Sequence, residues 1–212
     1  MSAVNPDFSG LLFGTSNSEK AREYSDIFGY AISTKHLDFP EPTISQAMWK
    51  LMADGKYQEV AELVALEKAI IGYELNQEKL IVVEAALVFC RGLDGFPGPF
   101  IGDLDSPVAR EVLSRRANSA RFGEADSSAV AMVTLSVYSP VIGAQYRHGA
   151  VEGEICSSPQ GEFGFGWDST FRLKNSSIKA TFAQMLRQEK NLLSMRRESA
   201  TAVRANPFRL EN

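Results

Sequence analysis

Residues 80–90 read LIVVEAALVFC, an apolar run with one acid, Glu84, inside it. A run without polar alternation predicts a strand buried on both faces. Upstream, LLFGT at 11–15 predicts a short strand that ends in a polar loop, SNSEK. In KAREYSDIFG the residues Ala21, Tyr24, Ile27 and Phe28 then recur at helical spacing before Gly29. A second short strand is expected in YAISTKHLDF; it stops at PEP, which places Glu41 on a loop between two prolines. Residues 45–73 read as mostly helical with a break near Asp54 and Gly55, and their second half, YQEVAELVALEKAIIGY, is strongly amphipathic.

Downstream the pattern changes. Three glycines and two prolines over 92–99 make a regular element improbable there, and 106–117 reads as helix. AVAMVTLSVYSP, GAQYRHGAV and GEICS are spaced like antiparallel strands joined by turns, and QGEFGFGWDSTF is a glycine- and aromatic-rich loop. The stretch 186–205 is helical, with Ser194 as a cap or break inside it. Helices and strands alternate first and an antiparallel section follows, which defines an α/β protein with a mixed sheet.

Composition narrows the choice. The 212 residues suit a single domain over 1–212 or two closely joined lobes, and 44% hydrophobic with 23% charged residues are globular values. A net charge of -4 without a dense Lys/Arg block argues against nucleic acid as partner. The N-terminus lacks the basic and apolar regions of a secretion signal, and the most apolar stretch carries Thr, Ser and Pro, so a soluble, cytoplasmic protein without a membrane span is expected. Cys90, Cys156, His36 and His148 stand at unrelated places, which disfavours a disulfide framework, a zinc site and a Cys/His catalytic pair.

Three stretches carry candidate chemistry. The loop T15-S-N-S-E-K20 joins a strand to a helix start, where backbone N–H groups and the helix dipole favour an anion and Lys20 adds charge. An ordinary polar strand-to-helix connection has the same appearance, and the glycines of the common nucleotide-binding loops are missing. In G164-F-G-W-D168, Phe165 and Trp167 would face one way in an extended segment, and Asp168 follows; such a set stacks on a planar base, or equally forms two core aromatics in a tight turn. K190-N-L-L-S-M-R196-R197 supplies positive charge near a helix start, or a solvated helix face.

The order of these pieces resembles the inosine triphosphate pyrophosphatase family, whose members act on deaminated purine nucleotides, and is closest to its eukaryotic branch. The resemblance runs from LLFGTSNSEKAREYSDIFG through DFPEP, EKA, VVEAAL, GLDGFPGPFI and GFGWDSTF to TFAQMLRQEKNLLSMR. It implies an elongated mixed β-sheet flanked by helices, in two lobes with a central nucleotide cleft, and a homodimer. It further implies Mg2+-dependent hydrolysis of inosine, deoxyinosine or xanthosine triphosphate to monophosphate and pyrophosphate, which cleanses the nucleotide pool. By the same resemblance Thr15, Asn17, Lys20 and Lys68 hold the triphosphate, and Phe165, Trp167 and Asp168 bind the base. Lys190, Ser194 and Arg196 close over the nucleotide, Glu41 and Glu84 hold Mg2+, and Lys20, Glu41 and Glu84 are the catalytic set.

The chain departs from the family where the chemistry is concentrated. The family's Glu-Asp-Thr/Ser is Glu84-Ala85-Ala86 here, so the aspartate assigned to activating water is Ala85. Ser-His-Arg is Ser194-Met195-Arg196, Ala-Glu-Met is Ala183-Gln184-Met185, the proline after Gly-x-Trp-Asp is Ser169, and a eukaryotic lysine is Gly102. Two rivals to an active enzyme follow: a nucleotide-binding relative with impaired catalysis, and a non-enzymatic interaction protein on the same scaffold.

Overall fold

In the computed structural model, residues 8, 10–40, 42–77, 79–119, 125–174 and 179–209 are described. Along the chain run β1 (Leu12–Gly14), α1 (Ser18–Phe28), β2 (Thr34–Lys35), α2 (Gln46–Ala53), α3 (Tyr57–Leu75) and β3 (Ile81–Cys90). They are followed by β4 (Pro97–Gly98), α4 (Pro107–Ala117), β5 (Ser128–Ser139), β6 (Gly143–Ile155), β7 (Phe171–Leu173), α5 (Arg187–Leu193) and α6 (Met195–Ala205). The strands form one sheet in the order β2-β1-β3-β5-β6-β7, with β4 also paired to β3. β2, β1 and β3 are parallel, and every other pairing is antiparallel. The mixed α/β class expected from the pattern is what the chain forms.

β3 explains its own composition. Val82 and Val88 pack with Tyr24, Leu135 and Val203 on one face, while Ala85, Leu87 and Phe89 pack with Met52, Val60 and Val64 on the other. A strand covered by helices on both faces has no reason to alternate with polar residues. α3 contributes small residues, Ala61, Ala65, Ala69 and Gly72, to its buried side, so the helix lies close on the sheet. A Cβ at Gly72 would already stand 3.4 Å from Ile81 and Val83.

One expectation is corrected. GAQYRHGAV and GEICS are not two strands with a turn between them but one 13-residue strand, β6. Gly149 and Gly153 both sit in this ladder because other atoms come too close for a side chain. A Cβ at Gly149 would collide with Met195 O and Ser199 N of α6, and one at Gly153 with the Phe171 ring and Arg172 O. The break expected at Ser194 is found: residues 186–205 form two helices, and Ser194, with φ -83° and ψ 161°, is the extended residue between α5 and α6. No described helix is long and apolar enough to cross a membrane.

Candidate active site

β1 ends at Gly14, and the chain turns into α1 through Thr15, Ser16 and Asn17. Asn17 caps the helix: its Oδ1 accepts the N–H groups of Glu19 at 3.0 Å and Lys20 at 3.3 Å. Thr15 Oγ1 accepts the Asn17 N–H at 3.0 Å. Two of the helix-start N–H groups that the sequence offered to an anion are therefore already satisfied, and what the loop presents outward is mainly the charge of Lys20.

The cleft opens where the sheet does. On one edge of β3, β1 pairs with Ile81, Val82 and Val83, and β4 with Val88 and Phe89, so among the described residues no strand lies against 84–87 on that edge. An open cleft of about 320 Å³ lies there. Gly14 through Asn17, Lys20, Lys68 and Phe39 line one side, Ile101, Gly102 and Asp105 another, and Phe165 through Asp168 with Arg196 a third; Glu84 and Ala86 form the floor.

The aromatic loop is built by its glycines and its acid. Residues 166–169 form a 3-10 turn rather than an extended segment, so Phe165 and Trp167 have different surroundings. Trp167 packs edge-on to Phe171 at 5.7 Å and lies 6.2 Å from Phe182, anchoring the loop to the core. The Phe165 ring lies over two cations, 4.6 Å from Lys190 Nζ and 5.4 Å from the Arg196 guanidinium carbon. Asp168 Oδ2 accepts the Phe165 N–H at 2.9 Å and a proton of Lys190 at 2.5 Å. Gly164, at φ +76°, passes so close to that carboxylate that a Cβ would collide with it. On the far side Arg110 donates to Gly166 O at 2.6 Å.

Beneath the loop lies a chain of alternating charge. Lys20 Nζ stands 3.1 Å from Glu84 Oε1. Arg196 donates to both Glu84 oxygens, at 2.9 and 2.8 Å, and to Glu23 Oε2 at 2.8 Å. Lys190 bridges Glu23 Oε1, at 2.7 Å, to Asp168. Burial alone would raise the Glu84 carboxyl, but Arg196 and Lys20 outweigh it and hold it far below the ordinary value. Arg196 and Lys190 likewise hold Glu23 down against burial. At Asp168 burial prevails and the carboxyl moves up.

The structure brings most of the sequence-predicted residues together. Thr15, Asn17, Lys20, Lys68, Phe165, Trp167, Asp168 and Arg196 line the cleft with Glu84. Lys190 and Ser194 do not. Lys190 lies behind Phe165 beside Glu23, and Ser194 is wholly buried with its hydroxyl unpartnered. Glu41 lies outside the described residues. Sequence reasoning missed Glu23 and Asp105. Glu23 is three residues after Lys20 on α1, but nothing in a helical pattern says that an acid beside the apolar stripe is buried.

The departures have structural correlates. Met195 is fully buried in the apolar cluster of Leu135 and Val203, whereas Gly102 borders open space. Ala85 is 0% exposed and points away from Glu84, into the cluster of Met48, Met52, Val60 and Val64. Its cross-strand neighbour is Thr134, whose hydroxyl is 2.9 Å from His148 Nδ1, while His148 Nε2 is 3.0 Å from Glu62. His148 is thus not isolated. Ala85→Asp is expected to lower stability by about 2–3 kcal/mol, because a carboxyl there meets mostly apolar atoms and a hydroxyl already engaged. Denaturant unfolding measures this. A gain of ~10²–10⁴ in pyrophosphate release by the variant would show instead that the carboxylate reaches the cleft around the open edge.

Fold and cleft together define a class: a mixed α/β protein with a nucleotide-sized site between a strand-to-helix loop and an aromatic, acid-bearing loop. Within that class the chain belongs to the Ham1 family, whose profile matches residues 11–206. It is 30% identical over 202 residues to the inosine triphosphate pyrophosphatase of Mycosarcoma maydis, covering 91% of this chain and 92% of that protein. It is 28% identical over 194 residues to inosine triphosphate pyrophosphatase 1 of Trypanosoma cruzi (strain CL Brener), covering 91% and 89%. To the dITP/XTP pyrophosphatase of Hyperthermus butylicus it is 27% identical over 193 residues, covering 90% of each. The solved HAM1 protein of Coxiella burnetii superposes with a TM-score of 0.66 at 21% identity, over 92% of this chain and 96% of that one. The Staphylococcus aureus Ham1 protein gives a TM-score of 0.63 at 21% identity and the same coverages.

Proposed function

We propose that the protein hydrolyses inosine, deoxyinosine and xanthosine triphosphates to the monophosphate and pyrophosphate. The observation that carries this reading is the facing of the Lys20 loop and the Phe165 loop across one cleft, in a Ham1 member whose relatives are named for these substrates. Lys20, Lys68 and Asn17 take the phosphates. Phe165, Trp167 and Asp168 take the base, and Arg196 stands between the two ends. A cytoplasmic homodimer belongs to the same proposal.

The charges around the cleft bear on the cofactor. Lys20, Lys68 and Arg196 face Glu84, Asp105 and Asp168, so among the described residues the lining carries three cations against three carboxylates. A triphosphate brings about four negative charges that this balance does not offset. Among the described residues no cluster of three His, Cys, Asp or Glu is placed to hold a metal. Mg2+ usually needs only one or two carboxylates besides phosphate oxygens, and carboxylate oxygens are the donors it prefers. Glu84, at the cleft floor, would supply one on giving up a bond to Lys20 or Arg196, with Glu41 as the second. When bound, Mg2+ would neutralise charge on the phosphates. The chain's own part is to orient the phosphates with Lys20 and Lys68 and to receive the base at the aromatic loop, with Arg196 between the two ends.

Pyrophosphate release tests the reading. With Mg2+, inosine triphosphate is expected to turn over at least about tenfold faster than adenosine triphosphate, a difference of about 1.4 kcal/mol, and chelation of the metal abolishes release. Rates no better than buffer would remove hydrolysis. A second reading rests on Ala85, which puts a methyl group where the family's aspartate is expected: a nucleotide-binding protein without turnover. It predicts thermal stabilisation by inosine triphosphate with no pyrophosphate formed.

A further inference from the structure

The six buried or half-buried charges form one line: Lys20, Glu84, Arg196, Glu23, Lys190 and Asp168 alternate in sign, with successive contacts of 3.1, 2.8, 2.8, 2.7 and 2.5 Å. One end is the phosphate-side lysine. The other end, through Asp168 Oδ2, fixes the Phe165 N–H and with it the backbone of the aromatic loop. Glu23 is the link in the middle. It is 2% exposed, stands outside the cleft lining, and divides its two oxygens between the two cations beneath Phe165. Lys20 and Glu23 lie one turn apart on α1, so one rigid helix carries both the phosphate contact and this link.

We infer that Glu23 is a positioning residue that couples the phosphate end of the site to its base end, so that base discrimination is sharpest when the phosphates are bound. The physical basis is the scarcity of water along the chain. A bound phosphate draws Lys20 away from Glu84; Glu84 then engages Arg196 more fully, which frees Glu23 toward Lys190 and changes the hold on Asp168. In a low-dielectric interior such shifts are not screened between neighbours. No other acid among the described residues bridges Arg196 to Lys190 in this way.

This inference rests on the nucleotide reading, and calorimetry separates the two. The α,β-methylene triphosphates of inosine and adenosine, which resist cleavage, and the two monophosphates are titrated into the wild type, Glu23→Gln and Glu23→Asp. In the wild type the inosine-to-adenosine affinity ratio is expected to be about 5- to 150-fold greater for triphosphates than for monophosphates, the range of typical coupling energies. Glu23→Gln makes the two ratios equal, and Glu23→Asp restores part of the difference. A merely structural role would weaken all four ligands alike and leave the ratios unchanged. Should Glu23→Gln fail to fold, Glu23→Asp carries the test, since its shorter reach must lower the coupling. Equal ratios in the wild type, or full coupling in the variants, overturn the inference alone. No binding of any of the four by the wild type overturns the nucleotide reading and this inference with it.

Discussion

Replacing Arg196 by methionine is expected to lower the free energy of unfolding by about 3–5 kcal/mol at neutral pH, the usual cost of leaving a buried charge without its partner. Arg196 donates three bonds to two carboxylates that are nearly inaccessible, Glu84 and Glu23. Methionine fills much of the space but leaves Glu84 to Lys20 and Glu23 to Lys190, each with one cation fewer.

The pH profile identifies the cause. In the wild type both Glu carboxyls lie below their ordinary value of 4.5, so their contribution is complete above that pH and fades as the pH falls toward the folded-state values. Without Arg196, only Lys20 is left to offset burial at Glu84, so its carboxyl is expected to move up. A raised carboxyl favours the folded state only once protonated, and that contribution is lost as pH rises through the folded pKa. The gap between variant and wild type should therefore be widest near neutrality and narrow below about pH 4.5. Urea unfolding from pH 3 to 8 measures it; a gap independent of pH would mean that lost packing, not lost charge, is responsible.

Gly149→Val is expected to cost about 3 kcal/mol or more, at the upper end of overpacking effects, and to impair ligand binding as well. At Gly149 the backbone of β6 meets that of α6, and a Cβ would collide with Met195 O and Ser199 N. Those are backbone atoms, so no rotamer change relieves the contact and the helix must move. Arg196 follows Met195 directly, so displacing α6 also disturbs the pairing with Glu84 and Glu23. Thermal unfolding and nucleotide binding should decline together. A variant of ordinary stability would show that α6 yields without cost.

How much of this was legible beforehand differs from element to element. The periodicity of KAREYSDIFG and the apolar run of LIVVEAALVF were enough for α1 and β3, because those patterns follow from burying one stripe or two faces. The loops bearing Lys20 and Phe165 were visible through their residue types, and the structure sets both around one cleft. The reading of β6 failed because glycine has two uses that look alike in a sequence. It permits a turn, and it permits another backbone to come close; at Gly153, where a new strand was expected to begin, the second applies. Lys190 and Ser194 were visible near a helix start, but the burial of both, Lys190 behind Phe165, was not.

By itself the sequence determined the α/β class, the mixed sheet, and the chemical types at each end of the cleft, since these depend on local periodicity and residue identity. Tertiary structure alone decided the rest. Glu23, 61 positions before Glu84 in the chain and 173 before Arg196, joins both ends of the site only because α1, β3, α5 and α6 converge. Ala85 lies beside Glu84 in sequence yet faces the opposite core. Spacing along the chain sets which face of an element a residue takes; whether a charge there is solvated, paired or buried depends on what the fold packs against that face.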